Sequence, residues 1–222
     1  MILAIETATP VCSVALGKGR RSVIEKRMQG KGVHSERTFE FVKELLERHE
    51  TGIKDLEAVL FSNGPGSYTG LRIGAAAIKG LLFQKDVPLY TLSTLLSFTV
   101  PHLRPGRTVH GVIDARRQHL YLESVKMKGD QSVETAGSRV IELTEAAKLL
   151  KPRDVVVGTG WERLEMDRRD DIKWHGTQAI SAKNLLLAWN HRSIKNEFKK
   201  EDPRTFEPNY ITVSQINNTQ SK

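Results

Sequence analysis

The residues whose types and spacing most suggest chemistry form one loop, Asn63-Gly64-Pro65-Gly66-Ser67-Tyr68-Thr69-Gly70-Leu71-Arg72-Ile73-Gly74. It follows a predicted strand and opens a predicted helix, where backbone N–H groups can receive an anion. A P-loop would need a Gly-Lys-Ser/Thr triplet, and no lysine stands in this loop. The dinucleotide fingerprint needs a third glycine where Thr69 stands. A nucleophile elbow needs glycines on both sides of Ser67, at positions occupied by Pro65 and Thr69. The plainest reading is a tight turn closed by a hydroxyl at the helix N-terminus. Seven histidines (34, 49, 102, 110, 119, 175 and 191) complete the inventory, and no two stand three or four apart. A helix that offers two imidazoles to one metal needs the H-x-x-x-H spacing, so the sequence predicts no metal site. Cys12 is the only cysteine, which excludes an intrachain disulfide and a cysteine-based zinc site.

These residues need elements to position them. Apolar runs at 2–6 and 11–17 read as a hairpin around Thr7-Ala8-Thr9-Pro10, and Arg21 to Met28 as a third strand. A helix capped by Ser35 follows, with Phe39, Val42, Leu45 and Leu46 at helical spacing, ended by Gly52. Leu56–Ser62 is a strand, Thr69–Gln84 a helix, Pro88–Leu92 a strand and Thr94–Leu103 a helix. After Pro105-Gly106 the pattern returns, with strands at Val109–Ile113 and Leu120–Met127 around Asp114-Ala115-Arg116-Arg117. A third strand is expected near Glu134–Ile141, then a helix capped by Thr144, a strand at 155–157 and a helix from Ala182 to about Ile194 capped by Ser181. Residues 199–222 read as an extended, partly disordered tail, with Phe206 and Tyr210-Ile211 docked on the body. Two successive βββα-plus-βα blocks predict an α/β protein of two ribonuclease-H-like lobes in tandem, the architecture of actin-like ATPases and sugar kinases. The expected lobes are 1–104 and 105–222, the second a smaller lobe with an extended tail.

In such folds the first hairpin cups phosphates, and Glu6, Thr7 and Thr9 occupy that hairpin. The simpler alternative is that Thr7 and Thr9 cap a turn. Gly158-Thr159-Gly160-Trp161 is a weak counterpart of the adenosine loop of these folds. Asp114 and Arg116 suit a local side-chain-to-backbone turn.

The chain has 222 residues with 34 Lys plus Arg against 26 Asp plus Glu, a net charge of +8. The excess is divided between the halves as +5 (15 against 10) and +3 (19 against 16), with no basic tail. Hydrophobic residues at 39% and no apolar run of about 20 residues predict a non-membrane protein, and an N-terminus that does not read as a secretory signal, with the single cysteine, points to the cytoplasm. Aromatics are only 6% and do not alternate with basic residues, which disfavours a stand-alone RNA-binding protein.

The glycine motif Gly64 to Gly74 resembles that of the TsaB family, also called YeaZ. So do Ile5-Glu6-Thr7-Ala8-Thr9, Cys12 to Leu16, Ser93-Thr94-Leu95, Ile113 to Arg116, Val157 to Trp161 and Glu207 to Ile211. The segments span nearly the whole chain in the family's order. The resemblance implies a subunit of the bacterial machinery that forms N6-threonylcarbamoyladenosine at position 37 of tRNAs reading codons that begin with adenine. It implies that the partner TsaD carries the transferase site, and that TsaE, an ATPase, binds the pair. Pairing with TsaD, or with a second copy when the chain is alone, is implied to run through the two N-terminal helices. tRNA is implied to be reached through the complex, and no cofactor is implied. TsaD-like proteins carry a histidine pair after the strand that follows the glycine-rich helix. Here Thr94 and Phe98 fall roughly at those positions, so the expected role is non-catalytic. The alternative is an actin-like small-molecule kinase or ATPase.

The expected partner surface combines Phe39, Phe41, Val42, Leu45 and Leu46, whose apolar stripe is wider than one core-facing side requires, with a small-residue face on the second helix. That face holds Gly70, Gly74, Ala77 and Leu81, with Ala76, Ile78 and Gly80 beside it. Each interior glycine costs a helix about 0.5–1 kcal/mol relative to alanine, a cost tolerated where another backbone approaches closely. That backbone could belong to a partner's helix or to the chain's own sheet.

Overall fold

The computed structural model describes residues 1–18, 22–129, 132–164 and 170–211. The first sheet begins with three antiparallel strands, β1 (Ile2–Glu6), β2 (Val11–Lys18) and β3 (Ser22–Gln29). Helix α1 (Val33–Arg48) leads to β4 (Ala58–Ser62), which lies parallel to β1. Helix α2 (Tyr68–Leu82) then leads to β5 (Leu89–Leu92), parallel to β4. The resulting strand order is β3-β2-β1-β4-β5.

The second sheet repeats the plan. After α3 (Thr94–Thr99) come β6 (Thr108–Asp114) and β7 (His119–Lys128), then β8 (Ser132–Thr135) and β9 (Arg139–Glu142), both antiparallel to β7. Helix α4 (Leu143–Leu149) precedes β10 (Val155–Gly158) and β11 (Lys173–His175), giving the order β8-β7-β6-β10-β11. Each sheet therefore has the three-antiparallel, two-parallel order of a ribonuclease-H-like lobe, as the element order predicts. Helix α5 (Lys183–Trp189) follows, and β12 (Lys199–Glu201) pairs antiparallel with β5, so the chain returns to the first sheet.

β1 and β4 are buried at every position because helices cover both faces of the sheet, and such strands read as unbroken apolar runs. One core lies between α1, α2 and the outer face of the first sheet, around Phe61, Leu45 and Ile78. A second joins the two sheets through α3 and α5, around Leu60, Phe98, Val109 and Leu185.

Several local expectations are corrected. α1 starts at Val33 behind Gly32, whose left-handed φ of 73° makes the turn; Ser35 Oγ instead donates back to Gly32 O at 3.0 Å. α1 stops before Gly52, because Glu50 takes the left-handed position and Thr51 N–H closes onto Leu46 O at 3.1 Å. The helix expected over 94–103 passes into a 3-10 turn at Val100, where Pro101 cannot donate the next helical bond. The strand expected over 134–141 is two strands separated at Gly137, φ 72°. Thr144 lies inside α4, whose N-cap is Glu142. α5 ends at Trp189, five residues short of Ile194, while Ser181 Oγ does accept the Lys183 N–H at 3.1 Å. The extended reading of residues 199–201 gives way to β12, and residues 212–222 of that reading lie outside the described residues.

Candidate functional site

The glycine loop is fastened on three sides. Ser67 Oγ accepts the Gly70 N–H at 3.2 Å, and Ser67 N–H donates to Ala8 O in the first hairpin. Gly64 N–H donates to Thr94 Oγ1 at 2.9 Å, and Thr94 N–H donates back to Gly64 O at 2.9 Å. Asn209 N–H reaches Asn63 O at 2.7 Å, so the C-terminal segment straps the loop. Phe206 meets the edge of Phe61, Tyr210 lies on Tyr68 with centroids 4.9 Å apart, and Ile211 O accepts from Tyr121 Oη at 3.0 Å.

α2 presents its small residues inward. A side chain on Gly70 would meet Thr7 O, and one on Gly74 would meet Thr7 Oγ1 and come within 2.7 Å of the Phe61 ring. The shallow groove expected on this face of α2 is therefore filled by the chain's own hairpin and sheet. Ala77 and Ile78 are buried as well, and so are Phe41, Val42, Leu45 and Leu46 of α1. Of the expected surface, Phe39 remains open at 50% exposure. It lies over Gly80, 3.8 Å from where a Cβ there would sit. Phe83, which the sequence reading did not select, is 68% exposed at the end of α2. Ala76 and Gly80 are exposed as well, and positions 76, 80 and 83 recur at helical spacing on one side of α2. The signal available in the sequence was Phe83 itself, a large aromatic one residue beyond the helix.

The first hairpin places Glu6, Thr7 and Thr9 almost fully out of solvent. Glu6 Oε1 accepts the Ala8 N–H at 2.6 Å. Burial raises the Glu6 carboxyl to about 7, against the opposing pull of the Ser62 hydroxyl and the Ala8 N–H. Thr9 Oγ1 caps the turn by accepting the Val11 N–H at 3.2 Å, whereas Thr7 Oγ1 takes no partner among the described residues. Thr9 lines the cleft between the two sheets; Glu6 and Thr7 do not.

That cleft encloses about 870 Å³. One wall holds Gly66 to Gly70 and His34, and the other holds Asp114, Ala115, Arg116, Gly160, Glu162 and Arg163. Asp114 is ion-paired with Arg163 and accepts the Arg116 N–H at 2.7 Å, the local turn its spacing suggested. Glu162 accepts the Gly160 N–H at 3.0 Å. Trp161 lies 5.5 Å from Trp174, against the core beneath β10, as a packing anchor.

One polar constellation escaped the sequence reading. His110 Nδ1 lies 2.9 Å from Ser124 Oγ, and its Nε2 lies 3.2 Å from Asp154 Oδ2. The three residues suggest a hydrolytic relay, but none lines the cleft, and His110 and Asp154 are buried. Asp154 also accepts the N–H groups of Thr108 and Lys151. Burial pushes its carboxyl up, and the hydrogen bonds from His110, Lys151 and Thr108 outweigh that and hold it below the ordinary aspartate range. The cluster ties the loop before β10 to β6. Its members are 14 and 44 residues apart, so no local spacing reveals it. Among the described residues no group of three or more His, Cys, Asp or Glu side chains converges on a point, and no helix is long and apolar enough to cross a membrane.

Two ribonuclease-H-like sheets around a glycine-rich loop define a class, and comparison with known proteins narrows it. Residues 30–159 match the family model described as "TsaD: tRNA N6-adenosine threonylcarbamoyltransferase". The chain is 32% identical over 172 residues to "tRNA threonylcarbamoyladenosine biosynthesis protein TsaB" of Haemophilus influenzae, covering 72% of each protein. It is 31% identical over 169 residues to the TsaB protein of Escherichia coli, again over 72% of each. Its fold superposes on YeaZ from Pseudomonas aeruginosa with a TM-score of 0.76 and 26% identity, covering 95% of this chain and 99% of that one. The chain belongs to the TsaB family.

Proposed function

We propose that this chain is a non-catalytic subunit of the complex that forms N6-threonylcarbamoyladenosine in tRNA. Its partner in this reading is TsaD, bound through the exposed face of α1 and α2, with TsaE binding the pair. The observation that carries the reading is the apolar face of Phe39, Ala76, Gly80 and Phe83, two large aromatics held in water beside two small residues. Such a face is the form a helix-on-helix contact takes, with small residues admitting a partner's backbone and aromatics supplying buried area. A second copy of the chain can use the same face when TsaD is absent.

The non-catalytic role is supported by what occupies the positions of the TsaD-like histidine pair. Thr94 spends its hydroxyl on Gly64 N–H, and Phe98 is packed in the core between the sheets. Neither side chain supplies the imidazole that such a pair would offer a metal. The names of the TsaB relatives place them in the biosynthesis of the modified nucleoside, and the proposal carries that role to this chain. Size-exclusion of the chain with and without TsaD from the same organism tests it. The reading expects a joint peak with TsaD, and separate elution at micromolar concentrations would overturn it.

A further inference from the structure

The reversal between β6 and β7 is built from the wrong residues for its shape. Arg116 and Arg117 both have left-handed backbones, φ 68° and 51°. Glycine and asparagine take that region at little cost, and long side chains rarely do. Both residues are exposed, and among the described residues neither guanidinium has an acidic partner. Arg116 lines the cleft, and Arg117, the next residue in the chain, is exposed beside it.

The charge around them is predominantly positive. Lys31 lines the cleft from the other sheet, exposed and, among the described residues, without an acidic partner. The two acids on the cleft wall are engaged within the protein, Asp114 by Arg163 and Glu162 by the Gly160 N–H. With Asp114 paired to Arg163, Lys31 and Arg116 on the cleft wall and the exposed Arg117 next in the chain outnumber Glu162, an arrangement that favours positive potential at the rim. Beside them Tyr68 is 59% exposed, and Arg72 lies over its ring with Cζ 5.2 Å from the centroid. Tyr210 backs the same ring and fixes it. Unpaired cations beside a rigid, half-open aromatic ring are the elements that hold single-stranded nucleic acid. An acidic protein surface would need the cations but not the ring.

We propose that this rim contacts the tRNA itself, with Arg116 and Arg117 on backbone phosphates and an unpaired base stacked on the Arg72 guanidinium that covers Tyr68. The inference rests on the tRNA-modification reading above and adds a direct contact to a chain read there as a scaffold. It also accounts for the strained turn, because the guanidinium groups serve the ligand and not the fold.

The test uses the full chain in complex with TsaD, and a tRNA transcript that reads a codon beginning with adenine. Binding is followed by fluorescence anisotropy across about 50 to 200 mM salt. The double variant R116N/R117G puts turn-compatible residues at the reversal. Its affinity for the transcript should fall about tenfold at low salt. Its log–log salt slope should shrink by about 1.5, since each lost phosphate contact removes roughly 0.7–0.9. The melting temperature should hold or rise, and co-elution with TsaD should be retained. R116K/R117K keeps the charge and should keep most of the slope. An unchanged slope and affinity in R116N/R117G overturns the proposal. Loss of TsaD or TsaE co-elution with tRNA affinity intact also overturns it and assigns the rim to an acidic protein. Co-elution of the unaltered chain with TsaD is read in the same samples, so failure of the subunit reading shows there and failure of the rim shows in the salt slope.

Discussion

Alanine at Gly74 and at Gly80 should shift stability in opposite directions. Both lie in α2, where exchanging glycine for alanine stabilises a helix by about 0.5–1 kcal/mol. At Gly80 the new methyl meets only the Phe39 ring at 3.8 Å, an ordinary contact, so the helix gain survives. At Gly74 the methyl runs into Thr7 Oγ1 and comes within 2.7 to 2.8 Å of two Phe61 ring atoms. Thr7 and Phe61 are fully buried and cannot swing aside. Overpacking of this kind costs about 1–3 kcal/mol, which outweighs the helix gain by about 1–2 kcal/mol. For a chain of this size one kcal/mol moves the melting temperature by about 2–4 °C. G80A should therefore melt about 1–4 °C higher than the parent and G74A about 2–8 °C lower. Gly74→Leu adds three more carbons to the same space and should unfold much of the population, since total stability is only about 5–15 kcal/mol. Thermal melts followed by circular dichroism, with urea midpoints as a second measure, decide the matter. A G74A variant that melts above the parent, or a folded Gly74→Leu variant that loses only its partner, would refute the inward packing of this face.

Three further outcomes follow from the same geometry. Glu6→Gln keeps an acceptor for the Ala8 N–H but removes a carboxyl that burial raises from 4.5 to about 7. Because the folded value is the higher, the parent loses stability as pH rises from 4.5 to 7; the variant should gain on the order of 2–3 kcal/mol at pH 8 and little at pH 4, by melts at both. Asp154 titrates below its ordinary range, so its contribution is present above the unfolded carboxyl value near 3.9 and is lost as pH falls through the lower folded value. Asp154→Asn should cost about 1–3 kcal/mol at pH 7 and less at pH 2, read from urea midpoints. Phe39→Asp with Phe83→Asp removes two exposed rings without touching the core, so the melting temperature should stay within about 3 °C while co-elution with TsaD is lost.

Much of the architecture was legible because it rests on apolar periodicity. β1, β4 and the apolar face of α1 bury long hydrophobic side chains, and such runs are visible in a single sequence. β12 was not legible: Lys199-Lys200-Glu201 carries no apolar signal and becomes a strand only because β5 offers an open edge. β11 is similar, three residues on the rim of the second sheet. Around the candidate site, the spacing of Gly70 and Gly74 correctly announced a close approach, but spacing cannot say what approaches. The nearest backbone turned out to be Thr7 in the first hairpin. The His110–Asp154 tie and the meeting of Tyr68 with Tyr210 join residues far apart in the chain, so they become visible only in three dimensions.

The central claim, that this chain assists the transferase and does not perform the reaction, is tested most directly by threonylcarbamoyl transfer from supplied L-threonylcarbamoyl-adenylate to tRNA, with the purified chain alone and with TsaD and TsaE added. The chain alone should give only background turnover. With its partners present, formation of the modified nucleoside should depend on the intact Phe39–Phe83 face. Turnover above background by the chain alone, or full activity of the complex when both aromatics are replaced by aspartate, would contradict that claim.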